Sequence, residues 1–563
     1  VSDLDSDRKW IEATTLGDLL DRRAAEHPQR TALSFPGVEL TFRELAERAD
    51  HFARGLLTCG LRAGDTVGVL MSNCPDAIAV VFGAMKIGVV PVPVNARFKG
   101  YELGIVVRHS AMRLLVTHGP DGAGPDFPAL LGETFPGQAG AGLAGTAVER
   151  VVVLGDPAPA PFLSEEEFAE LAGRADPAEV RRRQELVRVR DTAIVMYTSG
   201  TSASPKGAML SHEAITRYAA GLARTRFFLV PEDRVWTPLP LFHIGGLAFA
   251  FATVHAGCTY CHAGVFKPAD ALDDLERQRA TVVLVGFETI WLPVVNQPDF
   301  AQRDLASIRA VMCVGVPERL RDMASRLPHA TQVSCFGMTE ASSFLALNHL
   351  TDSFDQRTGT GGHPLPGMEC RVVDPATGAD LPPGTEGELL FRGSNCFDGY
   401  FRDPELTASV FDEEGWFHTG DVATLDPEGR VTFVSRVKDM LKVGGENVSA
   451  VEVEDYLLRH PAVAIAQVVS APDAHYVEVP AVYIQLAPGA AVTEQEIIDF
   501  CLGSIATFRV PRYVRFVTEW PMSGTKIKKY VLREWIAAEL AEAGITEAPR
   551  LRPPALHSDV SPA

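Results

Sequence analysis

The residues best able to do chemistry lie in one short run. Ile194-Val195-Met196-Tyr197 is apolar, and Thr198-Ser199-Gly200-Thr201-Ser202-Ala203-Ser204-Pro205-Lys206-Gly207 follows with hydroxyls, small residues and a lysine. Small residues let backbone amides approach phosphate oxygens, hydroxyls donate to them, and a lysine adds a point charge. The run is not a Walker A loop, which needs lysine followed by serine or threonine; here Lys206 is followed by Gly207. By itself the stretch reads equally as a flexible surface turn. Ser211 suits the N-cap of the helix that comes next.

Tyr197 to Gly207 resembles the phosphate-binding signature of the adenylate-forming superfamily: acyl-CoA synthetases, stand-alone adenylation domains and luciferases. Further segments resemble that family's motifs in the family's order. Pro238-Leu239-Pro240-Leu241-Phe242-His243 is similar to its acyl-pocket segment, and Cys335-Phe336-Gly337-Met338-Thr339-Glu340 to its adenine and magnesium segment. Gly399-Tyr400 with Pro404-Glu405 and Thr407, then Gly415-Trp416 and Thr419-Gly420-Asp421, resemble its ribose-binding segment. Arg436 to Asn447 resembles its hinge and the glycine-containing loop beyond. The likeness runs from about residue 15 to about residue 540, and so many motifs in one order make it very specific.

The resemblance implies a role for each of these positions. Thr198, Ser199, Gly200, Thr201 and Lys206 would cradle phosphates. Phe336, Gly337 and Met338 would face adenine, with Gly315 and Val316 on the other side of the base and along the acyl pocket. Thr339 and His243 join the catalytic positions. Asp421 has two oxygens that can accept together from the two ribose hydroxyls, where its bland alternative is a turn residue. Glu340 offers hard oxygen to Mg²⁺. Arg436 would reach the nucleotide from the domain junction, and Lys438 would be the hinge whose backbone absorbs a rotation, although both suit an ordinary linker. Lys526, in Pro521-Met522-Ser523-Gly524-Thr525-Lys526, would bridge the attacking carboxylate and the α-phosphate; with Lys528 and Lys529 nearby, a solvated basic strand is the alternative.

Three positions depart from the family pattern. Ala203 stands where glycine is usual, which stiffens the loop or alters its path. Phe336 replaces a common tyrosine and removes one hydrogen bond. The loop before Lys526 is one residue short, with Thr525 where glycine is usual.

The implied reaction has two halves: a carboxylic acid attacks Mg·ATP to give an acyl-adenylate and pyrophosphate, then coenzyme A takes the acyl group. Phe242, His243, Phe287, Trp291, Gly315 and Met338 predict an apolar acyl pocket for a fatty, branched or aryl acid. Glu288, alone in the apolar run Val282 to Val295, suits either a polar substituent or, more simply, a helix start. The alternatives are an acyl-AMP ligase that loads the phosphopantetheine of an acyl carrier protein, a degenerate nucleotide-binding protein, and, ranked lowest, an oxidative luciferase-like activity. A homodimeric state stays open.

These groups need a scaffold. Leu45, Ala49, Phe52 and Leu56 fall at helical spacing, Asp65 to Leu70 and Val89 to Val94 read as strands, and the alternation predicts α/β layers. An acidic helix is predicted from Ser164. Ser449 and Thr493 each open a helix with a capping box, and Val479 to Leu486 and Tyr513 to Val517 read as strands of a small α+β unit. The predicted fold is a large N-terminal adenylate-forming domain of layered sheets and helices over 1–435, a hinge at 436–439, a small mobile α+β domain over 440–545 and a flexible tail over 546–563.

Composition bounds the partners. With 563 residues, 46% hydrophobic and 22% charged, the chain predicts a folded protein of two or more domains. A net charge of -20 argues against nucleic acid and anionic lipid. The apolar stretch Val67 to Val94 is broken by Asn73, Pro75, Asp76, Lys86 and Pro91, which predicts no integral membrane contact. The start Val1-Ser2-Asp3-Leu4-Asp5 lacks the order of a signal peptide, so a cytoplasmic location is expected. Nine scattered cysteines read as reduced thiols. Cys258-Thr259-Tyr260-Cys261-His262 has the form of a c-type haem attachment site, but after Gly257 a buried strand is the better reading.

Overall fold

A computed structural model describes residues 13–120, 124–155, 158–198, 205–436, 440–443, 446–502, 504–505, 507–523 and 526–551. Two compact units divide the chain. The first takes the described residues through Arg371 together with Leu390–His418 and Asp426–Thr432; the second takes Val372–Leu389, Thr419–Leu425 and the described chain from Phe433 onward.

The first unit is built on parallel sheets. One has seven strands in the order Thr331–Val333, Ala310–Val314, Val282–Phe287, Arg234–Thr237, Thr259–His262, Thr31–Phe35, Val38–Thr41. All neighbours in it are parallel except the last hairpin. A second, wholly parallel sheet orders Val90–Pro93, Thr66–Leu70, Leu114–His118, Arg150–Leu154 and Leu163–Ser164. Parallel sheets need both faces covered, and helices supply the cover.

The helix Phe42–Thr58 shows how the sequence pattern becomes packing. Thr41 and Glu44 form a capping box, and Leu45, Ala49, Phe52 and Leu56 are buried on one face. Gly55 lies so close to another helix that a Cβ would sit 2.1 Å from Phe168 Cζ. Lys86, which interrupts the apolar run, is 1% exposed and joins Asp21 and Asp50, tying three helices through one paired cation. The acidic helix begins with the Ser164/Glu167 capping box and spans Glu165–Arg174. Among the described residues, no helix is long and apolar enough to cross a membrane.

The second unit has its own core around Val468, Val482, Ile484 and Val514. Its sheet orders Glu446–Ser449, Met440–Val443, Val477–Leu486 and Val463–Asp473, with Tyr513–Phe516 parallel to Val477–Leu486. The helix Ala450–Leu457 follows Ser449, and Glu494–Cys501 opens with the Thr493/Glu496 capping box. Past Ile545 the chain is tied down at its start: Ala548 N–H donates to Asp473 and the Pro549 carbonyl accepts from Arg512. Residues 552–563 of the predicted tail lie outside the described residues.

The haem-like segment is core. Cys258 and Cys261 are buried free thiols, and burial pushes the Cys261 thiol up to about 12. Gly264 N–H donates to His262 Nδ1 at 2.8 Å, and His262 Nε2 lies 2.9 Å from the Leu239 carbonyl. Burial lowers His262 to about 4, and it does the same to His212, whose Nδ1 accepts from Leu16 N–H at 3.1 Å. Unfolded histidine titrates near 6.5, so between about pH 6.5 and about pH 4 the unfolded chain binds more protons than the folded one. Stability is therefore complete above this window and is lost as pH falls through it. Calorimetry at about pH 7 and about pH 5 should show a lower Tm at the acid end, with a shallower loss in His262→Gln; a Tm equal at both would contradict this.

Candidate active site

The strand Thr192–Thr198 pairs antiparallel with Lys206–Ser211, placing Thr198 opposite Lys206 and Tyr197 opposite Gly207. This pairing fixes where the intervening loop leaves and returns. Ser199, Gly200 and Thr201 lie outside the described residues. Gly207 is required by close approach, since a Cβ there would lie 2.8 Å from Val195 Cγ1. Ser211 caps the next helix, accepting from Ala214 N–H.

A distant segment lies along the free edge of Lys206–Ser211. Asp398 N–H donates to the Met209 carbonyl at 3.0 Å, Met209 N–H to Gly399 at 3.0 Å, and Phe401 N–H to Gly207 at 2.7 Å. This brings Tyr400 to Lys206, whose Nζ sits 5.4 Å from the centre of the tyrosine ring.

The strand Cys335–Met338 pairs with Ser343–Leu347 across the 3₁₀ turn Thr339–Ala341. A Cβ on Gly337 would meet the Ser343 carbonyl at 2.0 Å, so the tight crossing needs glycine. Phe336 is 8% exposed and Glu340 9%. Glu340 Oε1 accepts from the Tyr400 hydroxyl at 2.9 Å, while its carbonyl accepts from Phe397 N–H at 2.9 Å. Burial, then the Glu340 carboxylate, raises the Tyr400 phenol above its ordinary value, so Tyr400 stays a neutral donor. Lys206 and Glu340 thus meet on one tyrosine that sequence reading gave only to a ribose segment.

Three adjacent parallel strands deliver the other predicted groups at their carboxyl ends, where open α/β sheets hold their ligands. Arg234–Thr237 leads to Phe242 and His243, Val282–Phe287 to Glu288, and Ala310–Val314 to Gly315 and Val316. The Phe242 and His243 rings lie with centres 4.9 Å apart and planes tilted by 59°, just before the helix Ile244–Ala256. Cys335 Sγ lies 3.7 Å from Met312 Sδ, which sets the start of Cys335–Met338 beside the strand that leads to Gly315.

Glu288 does begin a helix, Glu288–Val295, but its carboxylate serves the neighbouring loop. Oε2 accepts from Val316 N–H at 2.9 Å, and Oε1 from Arg319 at 3.0 Å. Gly315 lies directly beneath, where a Cβ would sit 2.3 Å from Oε2. Trp291 corrects the sequence reading. It is fully buried against Phe300 in the core of the seven-stranded sheet and lines no accessible pocket. The helix turns Trp291, Val294 and Val295 inward together, while Phe287 before it is 42% exposed.

Sequence reading missed His109, whose Nδ1 lies 2.6 Å from the Tyr197 hydroxyl. With Lys206, Gly207, Tyr400 and Asp403 it lines a cleft of about 280 Å³. Its partner stands 88 positions away, and no local motif marks it.

In the second unit, Asp421 is 3% exposed within the strand Phe417–Leu425. Its N–H donates to Thr419 Oγ1 at 3.0 Å, and Gly420, at φ +67°, turns the backbone just before it. Arg436 ends the strand Val431–Arg436; Lys438 lies outside the described residues. Lys526 begins a two-residue strand whose partner is Met522–Ser523, with Ser523 opposite Lys526. Lys529, three residues on, pairs with the buried Glu454 at 2.7 Å, so the basic run is anchored rather than wholly solvated. Among the described residues, no group of three His, Cys, Asp or Glu is placed to hold a metal.

The fold is that of adenylate-forming enzymes. The solved anthranilate CoA ligase AuaEII, in complex with anthranoyl-AMP, superposes with a TM-score of 0.80 at 26% identity, covering 95% of this chain and 99% of that one. The chain belongs to the AMP-binding enzyme family, whose model matches residues 20–401 and whose C-terminal domain model matches 452–526. It is 32% identical to a putative acyl-CoA synthetase, YngI, of Bacillus subtilis, over 92% of this chain and 97% of that protein. It is 31% identical to the mitochondrial medium-chain acyl-CoA ligase ACSF2 of Rattus norvegicus, over 93% of this chain and 88% of that protein.

Glu288→Ala leaves the partly buried Val316 amide without its charged acceptor and should cost about 1–3 kcal/mol of stability. Glu288→Gln, which keeps an acceptor, should cost less. Thermal melts of the two variants check the order, and a Glu288→Ala protein as stable as the parent would contradict it.

Proposed function

We propose that this chain joins a carboxylic acid to AMP and then passes the acyl group to coenzyme A, releasing pyrophosphate and AMP. The observation that carries the reading is the meeting of Lys206 and Glu340 on Tyr400, beside the mouth of a glycine- and hydroxyl-rich hairpin.

In the first half-reaction a carboxylate oxygen attacks the α-phosphorus of ATP in line. The new O–P bond forms as the bond to the pyrophosphate oxygen breaks, and the protein's work is positioning and charge stabilisation. Lys206 and the loop amides hold phosphate oxygens. Thr339 and His243 flank the reacting groups, and Arg436 approaches the nucleotide. Asp421 takes the ribose hydroxyls, and Phe336 packs on adenine opposite Gly315 and Val316. Mg²⁺ prefers one or two carboxylates with phosphate and water, which suits the single buried Glu340; when bound it neutralises phosphate charge. Lys526 bridges carboxylate and α-phosphate during this step.

In the second half-reaction the coenzyme A sulfur attacks the acyl carbon and AMP leaves. The small domain, 440–545, turns about Lys438 in the 436–439 hinge, withdrawing Lys526 from the 1–435 domain and bringing the Gly444-Gly445-Glu446-Asn447 loop to the thiol. The acid is apolar, either fatty, branched or aryl. Glu288 is committed to Val316 and Arg319, which removes it as a receptor for a polar substituent. Two similar proteins, a medium-chain acyl-CoA ligase and an anthranilate CoA ligase, guide the choice of acids to test.

A panel of medium-chain, branched and aromatic acids, read by pyrophosphate release with and without coenzyme A, tests the reaction. Acid-dependent release that accelerates with coenzyme A is expected, and transfer to a holo carrier protein but not to coenzyme A would favour the rival ligase. Lys526→Ala should slow adenylation by roughly 10²–10³-fold, the scale of one preorganised charge stabiliser. Thioester formation from supplied acyl-adenylate should stay near the parent rate, and equal loss of both steps would contradict the two-state account.

A further inference from the structure

Among the described residues, Lys206 and Glu340 make no direct ion pair, although both touch Tyr400. A buried carboxylate beside an ammonium gains strongly by closing on it, because screening is weak away from water. Tyr400 gives each charge a different partner. Its hydroxyl donates to Glu340 Oε1, and its ring face takes the Lys206 ammonium. The tyrosine is itself held: Tyr400 N–H donates to Thr407 Oγ1 at 2.9 Å, and its ring meets Phe397 edge-on at 4.9 Å.

We propose that Tyr400 is a positioning residue for adenylation, holding Lys206 and Glu340 apart so that the ammonium faces the phosphates and the carboxylate keeps its second oxygen for a divalent cation. The inference rests on the adenylation reading above. Its chemistry needs no proton transfer from Tyr400. The hydroxyl acts only by fixing one carboxylate oxygen, and the ring only by holding the ammonium. The two roles separate by substitution. Tyr400→Phe removes the hydroxyl and keeps the ring; Tyr400→Leu removes both.

The test uses the full chain with Mn²⁺ and α,β-methylene-ATP, which cannot react, and counts bound Mn²⁺ by electron paramagnetic resonance. Tyr400→Phe should bind Mn²⁺ in the nucleotide complex about tenfold more weakly, the scale of one hydrogen bond to a charged group. Its kcat for acid-dependent ATP–pyrophosphate exchange should fall about tenfold while the KM for ATP moves less than about threefold. Tyr400→Leu should also weaken the metal-free analogue, which Tyr400→Phe should not. A side chain that only packs would lower the melting temperature and leave Mn²⁺ affinity alone, so parental Mn²⁺ binding by Tyr400→Phe overturns the inference whether or not Tyr400→Leu folds. If the parent protein binds the Mn²⁺ complex but shows no acid-dependent exchange, the adenylation reading fails and the Mn²⁺ comparison still decides the role of Tyr400. If the parent binds neither, both fall.

Discussion

Opposite charges that must serve one polyphosphate cannot be allowed to neutralise each other first. At 4 Å and an effective dielectric near 20, two unit charges attract by about 4 kcal/mol, enough to close an empty site. Lys206 and Glu340 come from segments far apart in sequence, and three backbone arrangements set their separation. The hairpin register puts Lys206 opposite Thr198, the 3₁₀ turn after Met338 presents Glu340, and the 398–401 segment along the hairpin edge inserts Tyr400. Loss of any one would change the distance between the charges.

The seven-stranded sheet supplies the rest of the frame. Because Arg234–Thr237, Val282–Phe287 and Ala310–Val314 are neighbours and parallel, the residues after each strand emerge along one edge. Glu288 then joins two of those loops, reaching from the end of one strand to the amide after the next. That bond costs the carboxylate its availability to a ligand and gives the Gly315–Val316 wall a fixed position. Glycine at 315 is what lets the carboxylate come so near.

Much of the scaffold was legible in the sequence because its signals are local. The apolar spacing from Leu45 to Leu56, the acidic start of the helix after Ser164, the Thr493 capping box and the N-cap at Ser211 each lie within a few residues of what they specify. The apolar run before the phosphate loop lies in the strand Thr192–Thr198, another short-range signal. What could not be read were choices made by tertiary neighbours. Phe287 and Trp291 are both aromatic and four residues apart, yet one is exposed and one is core, since only the helix's rotation against Phe300 decides. Tyr400 meets Glu340 across 60 positions, and Glu288 meets Val316 across 28, with no periodicity to announce either contact. The haem-like cysteines show the reverse error to avoid, a local pattern whose context is a buried strand.

In the proposed reaction an acid oxygen displaces pyrophosphate at the α-phosphorus. Turnover with a carboxylic acid labelled with ¹⁸O in both carboxyl oxygens, followed by mass analysis of the products, tests it directly. One ¹⁸O should appear in the AMP phosphoryl group, one should stay in the acyl thioester, and none should reach pyrophosphate. Label in the released phosphates, or AMP without label, would place the cleavage elsewhere and contradict it.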